Sequence, residues 1–296
     1  DLSAAYIEII NDWGTFTAGR RGSFFDFWGA HGYGTRIQID ESTVDTNLFG
    51  WTFAAGNGFS FTIAAEDPAS SASKPRRRTT IPGGSDDDYE GQEAPDGVAN
   101  IRVDQSWGSA QIMGAVRHVH DYSGPVVNPV PPPILFGDAT SDDGIGFAVG
   151  AGLTLRLPGG WRFDSQGGYA EGAVAYVTDD PGALGDLDGD FPDDLNKAWS
   201  VRAGIIGPFI NPNLSVWLDG SFTHVEEDGG GTPDADEYDQ WAFKIGARWE
   251  PVPGLGMGPE FAYQSLDMDD VANPGTVEEQ PSFDVWGLMW RIQRNF

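Results

Sequence analysis

The chain has 296 residues, no cysteine, and 45 acidic against 17 basic residues, which give a formal net charge of −28 at pH 7. The missing cysteines exclude disulfides, thiol nucleophiles and cysteine metal sites. The negative charge makes nucleic acid an improbable partner, because its phosphates would be repelled. No apolar run approaches the ~20 residues that a membrane-spanning helix needs.

Stretches of alternating apolar and polar residues recur along the whole chain, in pairs joined by short turns. In the clearest pair, residues 47–55 and 59–66 each alternate, and Gly56-Asn57-Gly58 turns the chain between them. Such alternation places apolar side chains on one face of a sheet and polar ones on the other. The pattern predicts about thirteen strands, near residues 1–10, 13–20, 47–55, 59–66, 98–105, 109–119, 145–157, 161–176, 198–208, 214–225, 239–250, 255–265 and 283–296.

Short and long connections alternate along the chain. The short turns are rich in Gly, Pro and Asn, and they lie at 11–12, 56–58, 106–108, 158–160, 211–213 and 251–254. The long connections are mostly acidic or rich in Gly and Pro, and they cover 21–46, 67–97, 121–144, 177–197, 226–238 and 266–282. This rhythm predicts an all-β fold, a transmembrane antiparallel β-barrel in which residues 1–296 form one domain. In bacterial barrels the short turns face the periplasm and the long loops face outside. A soluble sandwich or propeller is the structural alternative.

The final strand ends in an aromatic residue. Counting back from Phe296 in steps of two gives Ile292 and Trp290 on one apolar face. This ending resembles the assembly signal of outer-membrane β-barrels.

Four stretches, at 13–27, 53–60, 65–68 and 291–296, resemble the general porins of alphaproteobacteria. The resemblance implies a sixteen-stranded trimeric barrel whose third extracellular loop folds inward, and here that loop would be 21–46. About three strands would then be expected before Asp1.

The resemblance also implies a function. The expected activity is passive diffusion of small hydrophilic solutes and ions through a water-filled channel in the bacterial outer membrane. A homotrimer in contact with membrane lipid and lipopolysaccharide is expected, with no enzymatic activity and no cofactor. A substrate-specific channel, or an adhesin or receptor barrel whose long loops bind a partner, is the alternative.

Charged residues divide into two groups around such a channel. Carboxylates of the inward loop would narrow the pore, and the candidates are Asp26, Asp40, Glu41 and Asp45. Basic residues at inward strand positions would face them across the lumen, because a charge facing lipid near the midplane costs about 2 to 4 kcal/mol. These residues are Arg102, Arg117, Arg156, Arg162, Arg202, Lys244, Arg248 and Arg291, with Arg20 and Arg21 at the loop base as either wall charges or loop anchors.

Two weaker expectations concern ions. Asp186, Asp188 and Asp190 have the oxygen-rich spacing of a calcium loop, although no glutamate follows at the closing position. The acidic loops also predict weak cation selectivity.

Overall fold

A computed structural model gives the fold of the chain. It describes residues 4–33, 37, 39, 42, 45–67, 94–123, 126–127, 135–136, 140–178, 195–226, 237–268 and 282–295. Within these ranges, no helix is long and apolar enough to span a membrane.

Thirteen strands form one antiparallel sheet in which each strand pairs with the next one along the chain. A separate two-stranded ribbon lies within one long connection. The strands, in chain order, are β1 (Ala5–Asn11), β2 (Gly14–Gly22), β3 (Asp45–Gly56), β4 (Phe59–Glu66), β5 (Asp96–Gln105), β6 (Gly108–Ser123), β7 (Val126–Val127) and β8 (Leu135–Phe136) in the ribbon, β9 (Thr140–Arg156), β10 (Arg162–Glu171), β11 (Lys197–Phe209), β12 (Asn211–Glu226), β13 (Glu237–Val252), β14 (Leu255–Met268) and β15 (Phe283–Arg294). The predicted all-β antiparallel barrel is confirmed in strand number, order and direction. Strands β1 and β15 end the order, and the described residues contain no pairing between them.

The two faces of the sheet differ as the alternation predicts. Large apolar side chains at every second position are exposed, among them Ile112 at 69% and Leu288 at 71%. The opposite face carries polar and charged residues, many of them buried, such as Gln166 and Asp219. We call these the outer and the inner face. Polar groups turned inward are therefore shielded by something that lies inside the sheet.

Two local predictions were wrong. The strand predicted at 161–176 ends at Glu171, because Gly172 adopts a φ of 62° and turns the chain off the sheet. The turn predicted at 211–213 lies earlier, where Ile210 has a φ of 66° between β11 and β12. A β-branched residue is strained in that region, and sequence rules place turns at Asn and Pro instead.

Candidate functional site

Residues 23–33, between β2 and β3, lie against the inner face of the sheet, and we call them the inner segment. Phe25 and Trp28 in this segment are buried. Glycines on the inner face make room for its rings. A Cβ added at Gly152 would lie 2.3 Å from Phe27, and one at Gly50 would lie 2.6 Å from Phe24. The wall is therefore shaped to accept an aromatic chain segment.

The inner segment is fixed at its start by a buried carboxylate. Glu66, at the end of β4, accepts hydrogen bonds from Ser23 Oγ at 2.7 Å and from the Phe24 backbone N–H at 2.8 Å. Asn100 Nδ2 on β5 donates to the Phe24 carbonyl at 2.6 Å. These bonds satisfy backbone groups that would otherwise be buried without a partner.

The middle of the segment is held by side chains that take the place of a strand partner. Gln166 Oε1 accepts from the backbone N–H groups of Phe27 at 2.8 Å and Trp28 at 2.9 Å. Arg202 Nε donates to the Trp28 carbonyl at 2.9 Å. Strands β10 and β11 thus hold the segment through its main chain.

His31 lies between two carboxylates of the wall. Its Nδ1 is 2.6 Å from Asp219 Oδ1 and its Nε2 is 3.0 Å from Asp164 Oδ2, while its backbone N–H donates to Asp219 Oδ2 at 2.8 Å. Carboxylates only accept, so both ring nitrogens donate when the ring is charged. Burial lowers the pKa of His31, but the bonds and charges of Asp164 and Asp219 outweigh it and leave the pKa above 6.5.

The segment ends at Tyr33, which reaches the last strands of the sheet. Its backbone N–H donates to Glu260 Oε2 on β14 at 2.9 Å, and its carbonyl accepts from Arg291 on β15 at 3.0 Å. Eight strand spacings separate β4 from β14, about 38 Å on a flat sheet. The nine residue steps from Phe24 to Tyr33 span at most about 32 Å. The segment thus connects β4 with β14, through the side chains of Glu66 and Glu260.

A second segment, residues 172–178, also turns inward. Val174 and Tyr176 form a short 3₁₀ turn and are at most 1% exposed. The Tyr176 hydroxyl donates to Asp96 Oδ2 at 2.8 Å, and Arg117 NH2 contacts the same oxygen at 2.9 Å. Phe25 packs against Tyr176, so the two segments form one apolar cluster inside the sheet.

The predicted basic wall residues fall into three groups. Arg117, Arg202 and Lys244 are at most 2% exposed, and each contacts the wall or the inner segment. Arg248 and Arg291 are half-buried near Tyr33. Of the remaining three wall arginines, Arg156 and Arg162 are exposed, and Arg102 is half-buried and paired with Asp104.

The two arginines at the loop base point to opposite faces. Arg21 shares its face with Glu8 and contacts that carboxylate at 3.1 Å. Arg20 is paired with Asn47 of β3, at a position whose side chain points to the outer face. Side chains of neighbouring residues in a strand point to opposite faces. Because Arg20 points outward, Arg21 points to the inner face.

The acidic candidates are also separated. Asp26 lies in the inner segment, half-buried, and accepts a hydrogen bond from Ser42 Oγ at 3.3 Å. Asp45 begins β3 with the parity of Phe49, on the outer face. Asp40 and Glu41 lie outside the described residues, as do the calcium candidates Asp186, Asp188 and Asp190.

The terminal aromatic signal lies partly outside the described residues. Trp290 and Ile292 are 63% and 65% exposed on the outer face of β15. Phe296 is not among the described residues.

Several polar residues that hold the two inward segments were missed by sequence reasoning, which considered anchoring only for Arg20 and Arg21. They occupy strand positions whose side chains point to the inner face, and the same criterion was used to predict the wall arginines. These residues are Glu66, Asp96, Gln166, Asp219 and Glu260. His31 gave no such signal, because it lies in a connection without periodicity.

Several solved structures share this fold. The outer membrane channel DcaP of Acinetobacter baumannii has a TM-score of 0.67 and 15% identity, over 95% of this chain and 71% of that chain. An anion-selective porin from Comamonas acidovorans has a TM-score of 0.54 and 13% identity, over 98% and 77%. The trimer form of OmpT of Vibrio cholerae has a TM-score of 0.52 and 10% identity, over 97% and 80%. At these identities the likeness concerns the fold alone.

Family membership follows from the sequence profile. No curated protein sequence matches the chain. The profile of the Porin subfamily matches residues 1–289. Because the match spans nearly the whole chain, the chain belongs to the Porin subfamily of outer-membrane β-barrel channels.

Proposed function

We propose that the chain forms a passive diffusion channel for small hydrophilic solutes and ions across the bacterial outer membrane, and that the inner segment narrows this channel. One observation carries the proposal. A polar inner face holds a transverse chain segment, while the outer face of the same sheet exposes large apolar side chains. An apolar exterior suits lipid, and a polar interior suits water and solutes.

The proposed constriction uses charge on both sides of the lumen. The inner segment contributes Asp26, and inward arginines of the wall oppose it. Fixed charges of opposite sign in a narrow aqueous gap orient dipolar solutes and slow the entry of apolar ones. The short turns are proposed to face the periplasm and the long connections the outside, which sets the direction of entry.

The assembly is proposed to be a homotrimer in outer-membrane lipid and lipopolysaccharide. The trimeric form of OmpT, which shares the fold, supports this proposal. Within the subfamily, the motif resemblance supports an alphaproteobacterial general porin of sixteen strands. Cross-linking of the purified protein should give a trimer band, and a monomer at all cross-linker concentrations would contradict it.

No chemistry is assigned to the channel and no cofactor is proposed for conduction. Within the described residues, no group of three His, Asp or Glu side chains is arranged to hold a metal ion. Calcium at Asp186, Asp188 and Asp190 remains a separate proposal, tested by ⁴⁵Ca binding to the purified protein and to the triple asparagine variant.

Planar lipid bilayers test the main proposal. The purified protein should insert in discrete steps, each giving a constant, roughly ohmic conductance. A preparation that inserts into vesicles but leaves the bilayer electrically silent would contradict the channel. The reversal potential in a salt gradient then measures the weak cation preference that we propose from the acidic loops.

A substrate-specific channel is the second candidate. The observation that favours it is an uneven charge distribution, because the exposed Arg156 and Arg162 and the half-buried Arg102 share one inner wall. Saturable block of the ion current by one class of solute would distinguish a specific channel from a general one.

A further inference from the structure

Arg156 and Arg162 face each other directly across two strands. Arg156 ends β9 and Arg162 begins β10, and the register pairs them one to one beside the tight turn at 158–160. Both have the inward parity of Gln166, which binds the inner segment. Both are exposed. Two positive charges therefore stand side by side on the lumen wall.

Such a pair requires an explanation, because like charges directly opposite each other in a sheet are destabilising. The Arg162 Nε donates to Asp164 Oδ2 at 2.7 Å. That carboxylate is already occupied, since it also accepts from Thr154 at 2.6 Å and contacts His31 at 3.0 Å. Asp164 thus neutralises only part of the local charge.

Each of the two guanidinium groups is held through a single nitrogen, NH1 in Arg156 and Nε in Arg162. Arg156 NH1 donates to the carbonyls of Gln105 at 2.9 Å and Ser106 at 3.4 Å, at the neighbouring turn. These uncharged carbonyls orient the group without cancelling its charge, and the carboxylate whose charge it feels, Asp104, is already bound to Arg102. Arg156 Nε and NH2 and the two terminal nitrogens of Arg162 make no hydrogen bond to the described part of the chain.

Arg102 shows what a satisfied arginine looks like on this wall. The sequences Arg102-Val103-Asp104 and Arg162-Phe163-Asp164 repeat the same spacing on two strands. Arg102 binds Asp104 through both Nε at 2.9 Å and NH2 at 3.0 Å, a bidentate pair. Arg162 uses Nε alone, so its outer edge remains available to a second anion.

We propose that Arg156 and Arg162 form a binding site for a small oxyanion, such as phosphate, sulfate or a carboxylate group of a permeating solute. Guanidinium groups bind these planar or tetrahedral oxygens through paired N–H donors. A bridging anion would remove the repulsion between the two arginines. This inference rests on the proposed channel function and adds a solute class to it.

The site lies on the turn side of the constriction. Gly152 on β9 lies against Phe27 of the inner segment. Arg156 is four residues further along the same strand, a distance of about 13 Å. A solute entering from the long-loop side would meet the site after passing the inner segment. The oxyanion is a soluble one, because both arginines face inward and away from lipid.

Current block in planar bilayers tests the site. Inorganic phosphate is added in ~0.1 M KCl, and the half-blocking concentration is measured. At this ionic strength, charges are screened only beyond about 10 Å. In the wild type we expect saturable block. In the double variant R156Q/R162Q the half-blocking concentration should rise on the order of tenfold, because charge-assisted hydrogen bonds are lost.

Arg294→Gln is the matched control. It removes one positive charge at the same turn side of the sheet, but Arg294 has the outer-face parity of Ile292 and contacts the Pro253 carbonyl. The half-blocking concentration should not change in this variant. Equal block in wild type and R156Q/R162Q, or no saturable block in the wild type, would overturn the proposal.

A readout without current separates this proposal from the channel itself. Equilibrium dialysis of labelled phosphate against the detergent-solubilised protein should show binding that R156Q/R162Q weakens and R294Q does not. Binding without conductance would contradict the channel but support the site. Copurified phospholipid that is lost in R156Q/R162Q, with no response to added phosphate, would assign the arginines to a lipid headgroup and overturn the proposal for a soluble anion.

Discussion

The ring of Phe25 lies against the ring of Tyr176, with centroids 5.0 Å apart and planes tilted by 56°. The two residues are 151 positions apart in the chain and are 1% and 0% exposed. One belongs to the inner segment after β2 and the other to the turn after β10. This contact joins two inward connections into a single packed unit, so the width of the lumen depends on both.

Phe25→Ala should loosen this unit. Truncating a buried phenylalanine costs about 3 to 5 kcal/mol, because a cavity remains. We expect a lower unfolding temperature in detergent and a larger or noisier single-channel conductance. Tyr176→Phe is the control, because it keeps the ring and loses only the hydrogen bond to Asp96, worth about 1 kcal/mol. Equal effects of the two variants would argue against ring packing as the cause.

Gly152→Val should push the inner segment off the wall. A Cβ at this position would lie 2.3 Å from Cγ and Cδ1 of Phe27, closer than real contacts allow. We expect higher susceptibility of residues 23–33 to hydrogen exchange, together with altered conductance. Gly114→Ala on the adjacent strand meets only a carbonyl at 3.6 Å. That variant should behave as the wild type, and a similar change in both variants would mean that the effect comes from the strand and not from Phe27.

The contact of His31 with Asp164 and Asp219 should make stability depend on pH. The folded protein holds the His31 proton more tightly than the unfolded chain, since the pKa is raised above 6.5. This stabilisation is fully present below pH 6.5 and is lost as pH rises through the folded pKa. We therefore expect the unfolding temperature in detergent to fall between mildly acidic and alkaline pH.

His31→Gln should flatten this pH dependence, because glutamine does not titrate. His224 provides the matched control, since its Nδ1 also contacts a carboxylate, Asp239, at 2.8 Å but its side chain is 28% exposed. His224→Gln should leave most of the pH dependence in place. If His31→Gln kept the full wild-type slope, the anchoring role of the charged imidazole would be rejected.

Asp26→Asn and Asp45→Asn should differ in their effect on selectivity. Asp26 lies in the inner segment, whereas Asp45 has outer-face parity on β3. We expect the reversal potential in a KCl gradient to shift toward anions in the first variant, because a lumen carboxylate is removed. The second variant should leave the reversal potential unchanged. A shift of similar size in both would show that distant charge, not the constriction, sets the selectivity.

Periodicity was sufficient to predict the thirteen strands of the sheet, apart from the end of β10 and the turn before β12. In β15, for example, Trp290 and Ile292 were predicted to point outward, and both are exposed. This works because side chains alternate with a period of two, and a single-residue slip would turn every apolar group inward. The end of β10 could not be predicted, because Gly172 turns the chain where the alternating pattern still continues.

The sequence predicted the direction of the site residues but not their roles, and two of them, Arg20 and Asp45, have the parity of the outer face. Arg202 and Lys244 have inward parity, but both are buried and contact the inner segment or its wall. Parity gives the direction of a side chain, but not what occupies the space in front of it. Only the path of a segment without periodicity decides that, and hydrogen bonds such as those of Gln166 with Phe27 and Trp28 fix the path.

The sequence by itself determined an antiparallel sheet with an apolar outer face, short turns on one side and long connections on the other. These features follow from local steric rules and from the cost of placing charge in lipid. The tertiary structure decided which charges remain open to solute. It buries Arg117 beneath Tyr176 and leaves Arg156 and Arg162 exposed, because burial depends on contacts between residues far apart in the chain.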